Sequence, residues 1–151
     1  MRSLFSKLYL DMQTRITEAV PEVKWIEQDF EQESAEWRPN VQFPAVLIDF
    51  PQADFSQLGG ANQWGDVRIS ARLLFAPFSQ SYQAAPDEVK EKALEYFEVE
   101  RKLVAALHNW MPPEGYCQPL VRRSVSSNNR NDIGLRIRAL QFDTAAEWWF
   151  G

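Results

Sequence analysis

The stretch DVRISARLLF, residues 66–75, alternates without interruption: Val67, Ile69, Ala71, Leu73 and Phe75 take every second position, with Arg68, Ser70 and Arg72 between them. Side chains of an extended chain point to opposite faces in turn, so the pattern predicts a strand with one apolar and one polar face. The apolar face must lie on a core, and the other meets water or a partner. A lone strand cannot do this, so the rest of the chain has to supply neighbours and a covering layer.

Neighbours are easy to find. FPAVLIDF, residues 43–50, is an apolar run closed by Pro51 and reads as a strand buried on at least one face. Residues 51–65, PQADFSQLGGANQWG, are rich in turn formers and contain the Gly59-Gly60 pair, which predicts a long loop or an extended hairpin. Residues 120–127 and 133–142 form a closing hairpin across NNRND, whose residues tolerate left-handed turn conformations. With the turn centred near Arg130, Arg122 falls opposite Arg138 and Ser124 opposite Arg136. Val121, Val125, Leu135 and Ile137 then share the other face, and a one-residue slip would invert the assignment.

The covering layer comes from two helices. Residues 3–20 repeat Phe5, Leu8, Met12, Ile16 and Ala19 at three-to-four spacing, with Ser3 as N-cap and Pro21 as stop. Pro86 suits a first helical position, and Asp87 and Glu88 place negative charge at the positive end of the helix dipole. That second helix runs to about Trp110, with Val89, Ala93, Tyr96, Phe97, Val104, Leu107 and Met111 as its stripe. Glu88 with Lys92 and Glu98 with Lys102 are four-apart pairs on its outer side, and Pro112, Pro113 and Gly115 end it. Between the first helix and residue 43, Val23 and Trp25 mark a short strand, followed by an acidic exposed loop. The expectation is one α+β domain over residues 1–151: a single, mainly antiparallel sheet packed against two helices, in the order α-β-β-β-α-β-β.

Charge separates along the chain. Against a formal net charge of −5, residues 122–142 hold five arginines and one acid. Arg68, Arg72, Arg122, Arg136 and Arg138 can all project from one sheet face, while residues 27–36 form an acidic run that includes Glu31, Glu33 and Glu36. A basic patch and an acidic segment on one small protein are two halves of a heterologous contact. Repeated head to tail about a closing rotation, that contact builds a ring. Nucleic-acid binding is the weaker reading of the arginines, because the pI is about 4.9 and aromatic residues do not interleave with them. A third reading, a small-molecule binder or enzyme with a curved-sheet pocket, would line that pocket with Trp25, Trp64 and Trp110.

Catalytic signatures are missing from the sequence. There is no GxSxG, HExxH, P-loop or Rossmann fingerprint, and no cysteine or histidine cluster at metal-ligand spacing. His108, the single histidine, sits near the C-terminal end of the second helix. Cys117, the single cysteine, cannot form an internal disulfide and has only His108 as a partner for nucleophilic chemistry. The expectation is therefore no enzyme, no cofactor and no metal, in a reducing cytosolic setting. The first fifteen residues lack the unbroken apolar core of a signal peptide, and no run approaches the ~20 apolar residues of a membrane span.

The layout resembles the tail terminator and tail completion proteins of long-tailed bacteriophages and prophages. The resemblance rests on LYLDMQTRITEAVP, then FPAVLIDF, then DVRISARLLF, then EKALEYFEVERKLVAALHNW, then a closing hairpin ending in RIRALQFDT, and spans nearly the whole chain. It implies a small α+β subunit that assembles as a ring, commonly of six copies, on the end of the tail tube. Such a ring stops tube growth and presents a surface for joining the head, without catalysis or a cofactor. The implied partners are copies of the chain itself, the tail tube and the head-neck proteins, with no membrane and no specific nucleic acid. The implied location is the cytoplasm during assembly and the virion tail thereafter. The long acidic linker over residues 27–40 and the aromatic C-terminus depart from the family pattern and leave open a head-closure or other neck protein.

Overall fold

Ser3 opens the first helix by accepting the backbone N–H of Ser6 on its hydroxyl, 3.1 Å away, which satisfies one of the donors a helix N-terminus leaves over. In the computed structural model, which describes residues 2–34, 41–76 and 81–148, this helix is α1 (Leu4–Ala19). Pro21 follows its last turn. Leu8, Met12 and Ile16 form the buried stripe, each fully inaccessible to water.

Among the described residues the sheet has five strands: β1 (Trp25–Gln28), β2 (Ala45–Gly59), β3 (Asn62–Phe75), β4 (Val121–Ser127) and β5 (Arg136–Trp148). They lie in the order β1-β2-β3-β5-β4. Only the β1–β2 pair is parallel, so the sheet is mainly antiparallel and the fold is α+β as the pattern predicts. The alternation of residues 66–75 is obeyed. Val67, Ile69, Ala71 and Leu73 are at most 1% exposed and meet α1 through Leu8, Met12 and Ile16 and the later helix through Leu103 and Leu107. Each of the larger of these side chains is worth roughly 1.5–3 kcal/mol of transfer free energy, a large share of what holds the fold together.

The stretch 51–65 is an extended hairpin rather than a loop. Gly59 stands opposite Asn62, and Gly60, at φ +58°, takes a left-handed turn position that glycine occupies without steric cost. The expected second helix is two helices, α2 (Asp87–Ala93) and α3 (Glu95–Leu107), joined at Leu94. No proline or glycine marks that break in the sequence. Because α3 turns independently, its buried stripe is Val99, Leu103, Ala106 and Leu107, while Phe97 and Met111 from the expected stripe are exposed. The expected four-apart ion pairs are replaced as well: Glu98 meets Arg101 at 3.0 Å, and Lys102 reaches Glu22 beyond the end of α1.

The closing hairpin corrects the expected register. Ser127 pairs with Arg138, Val125 with Leu140, Ser124 with Gln141 and Arg122 with Phe142. The turn is not centred on Arg130, because a short 3-10 turn (Asn131–Ile133) and a left-handed Gly134 lengthen it, and the ladder slips at Arg123. Past the slip the shift is odd, so Val125 moves to the face of Arg136 and Arg138 and Ser124 to that of Ile137, while Arg122, before it, still shares a face with the two arginines. Arg136 and Arg138 stand opposite Phe75 and Leu73 and share the helix-covered face, whereas Arg68 and Arg72 alternate with the core residues and face the other way.

The face away from the helices is covered at one end only. There, Ala45, Leu47, Leu74, Leu135 and Ile137 form a second, smaller cluster, with Trp25, Val41, Phe43 and Ile133 packed on it. At the other end, β2 and β3 run on past this cluster. Asp54, Asp66, Arg68 and Glu147 stand there exposed.

Candidate subunit interface

Arg72 sits at the border between the small cluster and the open part of that face. Its Nε and Nη2 donate to the two carboxylate oxygens of Asp29 at 2.7 and 2.8 Å, and its Nη1 and Nη2 donate to Glu33 at 2.6 and 3.1 Å. One guanidinium thus makes two forked contacts, the geometry that its planar donor set favours. The segment after β1 is built to supply them. Asp29 continues the strand by donating its N–H to the Ile48 carbonyl, and its Oδ1 accepts the N–H of Glu31 at 2.9 Å while Glu31 takes a left-handed φ of +55°. The 3-10 turn Gln32–Ser34 then brings Glu33 back over the sheet. Gln32 secures the turn, donating to the Gln28 carbonyl and accepting from the Phe30 N–H, both at 2.8 Å.

This clasp is sheltered: the side chains of Arg72, Asp29 and Glu33 are 15%, 11% and 5% exposed. Burial by itself would raise the Asp29 carboxyl, but hydrogen bonds from Arg72 and from the Glu31 N–H, with the charge of Arg72, hold it below the ordinary carboxylate range. The hydrogen bonds it donates to Asp29 and Glu33 push the Arg72 guanidinium still higher. The acidic segment, expected to be an exposed loop, is therefore partly internal. Its pairing with a basic residue of β3 occurs within one subunit. The sequence signal for it is an arginine in the middle of a strand, flanked by apolar residues, which needs a carboxylate wherever the fold can bring one.

Arg138 is likewise matched internally. Its Nε donates to Glu100 of α3, with both side chains under 20% exposed, and its guanidinium lies 5.3 Å from the centre of the Phe97 ring. Arg68, Arg122 and Arg136 make no ion pair among the described residues and carry free charge at the surface. Glu31 is exposed, and Glu36 lies outside the described residues. The five arginines therefore do not form one ribbon. Arg68 stands on the open face, Arg122 and Arg136 are on the helix side, and Arg72 and Arg138 are tied within the fold.

Around Arg68 the open face is mixed in charge but mainly acidic. Arg68 stands opposite Asp143 on β5, which pairs with Arg123 at 2.8 Å. Asp54 and Asp66 face each other across β2 and β3, and among the described residues Asp54 accepts only from the Gln52 amide. These residues border a groove of about 570 Å³. No helix lies on it among the described residues.

The candidates for chemistry are spoken for. Burial pushes the Cys117 thiol up, away from a reactive thiolate. His108 caps α3, and its Nδ1 accepts the Arg122 backbone N–H at 3.1 Å. Burial, with a 2.6 Å hydrogen bond to Asp11, raises the Tyr116 phenol. The three tryptophans proposed as a pocket do not converge. Trp110 packs on the main core, Trp25 on the small cluster, and Trp64 stands on the open face opposite Ser56 and Glu147. Among the described residues, no group of three or more His, Cys, Asp or Glu is placed to hold a metal ion, and no helix is long and apolar enough to cross a membrane.

No protein-family model matches this chain, and no curated protein does. Among solved structures, a chain from the virion of a native gene transfer agent particle is similar at 14% sequence identity and a TM-score of 0.42, over 95% of this chain and 91% of that one.

Proposed function

We propose that the protein is a structural subunit of a phage-type particle: a tail terminator-like component that assembles with copies of itself into a ring, caps the tail tube and joins it to the head. The observation that carries the proposal is an incomplete surface. A β2–β3 hairpin projects beyond the covered part of the sheet, exposing one face with free Arg68 and opposed Asp54 and Asp66, while Arg122 and Arg136 carry unmatched charge elsewhere. Exposed charge without a partner inside the subunit is what a contact between subunits uses to fix register and orientation. The element order of the fold agrees with the resemblance carried by the sequence.

In this reading the chain performs no catalysis and holds no cofactor. It works as one domain in the cytoplasm during assembly and in the virion afterwards. Arg68, Arg122 and Arg136, with Glu31 and Glu36, face neighbouring copies or the tube, while Arg72, Arg138 and Glu33 hold the subunit in shape.

Solution mass by light scattering after gel filtration, over a range of protein and salt concentrations, tests the proposal. A mass near six times the 17.5 kDa of one chain, falling as salt rises, is the expected result. A strict monomer at every concentration counts against a self-assembling ring.

A further inference from the structure

The two rims of the sheet are both open, and they are matched. On one side, β1 accompanies β2 only as far as Ile48, so residues 49–59 of β2 have no neighbouring strand among the described residues. On the other side, β4 pairs with β5 alone among the described residues; its Arg122 N–H is taken by His108 Nδ1 at 3.1 Å, so its open edge is residues 124–127. A strand with one free side presents a row of unpaired N–H and C=O groups to any strand that can lie beside it. Pro51 and the irregularity between Asp49 and Gln52 blunt the start of the β2 rim, but residues 52–57 are regularly paired to β3 and leave an ordinary strand edge on their other side.

Direction decides how the rims can meet. β4 is antiparallel to β5, β5 to β3, and β3 to β2, so β4 and β2 run in opposite senses within one subunit. If copies are related by rotation about an axis along the strands, β4 of one copy meets β2 of the next in antiparallel pairing with no reversal of either chain. The rims also complement each other in character. The β2 rim carries Asp49 and Asp54 on the helix-free face, with no ion pair among the described residues, and exposes Phe55 (45%) on the helix side and Leu58 (55%) beyond it. The β4 rim carries Arg123 on that helix-free face, where it also pairs with Asp143 in its own subunit, and presents Arg122 and exposed Val125 (39%) on the helix side, the side of Phe55. A two-fold contact of β2 with β2 would instead bring the acids together.

We propose that the seam between neighbouring copies is this edge-to-edge junction, residues 52–57 of β2 against β4 of the next copy, which joins the sheets into one continuous surface around the ring. The inference rests on the ring reading and specifies its contact.

Cysteine cross-linking tests it. Ser56, Ser124 and Ser126 are exposed and lie on the same, helix-free side of the sheet, so a continued sheet places Ser56 of one copy beside β4 serines of the next. With Cys117→Ser as background, Ser56→Cys is combined with Ser124→Cys or Ser126→Cys, and each variant is checked by gel filtration under reducing conditions for wild-type assembly. Mild oxidation should give a ladder of covalent oligomers in at least one combination, with no dimer from the single variants. Dimers from Ser124→Cys or Ser126→Cys alone would replace the junction by a two-fold β4 contact and overturn the proposal. Oligomers of unchanged mass with no cross-link in any combination would overturn the junction and leave the ring standing. A monomer by light scattering would remove both.

Discussion

Asp54 and Asp66 are direct cross-strand partners on the helix-free face of the sheet, two like charges held side by side by the β2–β3 register. Opposed like charges cost stability, on the order of 0.2–1 kcal/mol. Asp66→Asn should therefore raise the melting temperature of the isolated subunit, with the gain shrinking in high salt. If the face is a contact surface, the same substitution weakens assembly while it strengthens the fold.

The Arg72 clasp should be the most sensitive polar feature of the subunit. Arg72→Ala leaves Asp29 and Glu33 sheltered and facing each other without a cation, a loss of about 3–5 kcal/mol for a buried pair broken from one side. Arg72→Lys should recover only part of this, because an ammonium cannot make two forked contacts. Urea unfolding midpoints order the three proteins as wild type, Lys, Ala; an Ala variant as stable as wild type would remove the clasp from the stability argument.

Acid sensitivity follows from Asp29. Its carboxyl is held below its ordinary value in the folded state, so the unfolded chain takes up the proton first as pH falls. The stabilisation is complete above the unfolded value of about 4 and is lost as pH drops towards the lower folded value. Asp29→Asn, less stable at neutral pH, should show a flatter stability profile below about pH 4 than wild type. Chemical unfolding at stepped pH gives both curves.

Gly65 has no room for a side chain. A Cβ there would lie 2.5 Å from the Trp148 ring and 2.7 Å from Phe55, and those two rings pack edge to face at 5.0 Å. Gly65→Ala should cost roughly 1–3 kcal/mol, typical of overpacking, and should alter tryptophan fluorescence because it displaces Trp148.

Charge reversal separates the arginines. Arg136→Glu should keep subunit stability within about 0.5 kcal/mol, as surface changes usually do, while Arg68→Glu, opposite Asp143, should cost up to about 1 kcal/mol, and both should shift the oligomer towards smaller species. Arg138→Glu should instead destabilise the subunit, because it sets a second carboxylate against Glu100. Thermal melts run beside light scattering distinguish the two classes.

The sequence by itself determined what is local. The strict alternation over residues 66–75 fixed a two-faced strand, Ser3 and Pro21 bounded the first helix, and the Gly59-Gly60 pair marked a break in the chain, a loop or a hairpin, because each depends on residues within a few positions of one another. Those local signals sufficed for the α+β class and the element order. Tertiary structure alone decided which charges are free. Arg72 finds its carboxylates 43 and 39 positions away, and Arg138 finds Glu100 at 38. No periodicity reports such meetings. The face on which Arg136 and Arg138 stand was set by the β3–β5 register, which puts them opposite Phe75 and Leu73: a strand repeats every two residues, so a one-residue shift of that pairing would carry every β5 side chain to the other side.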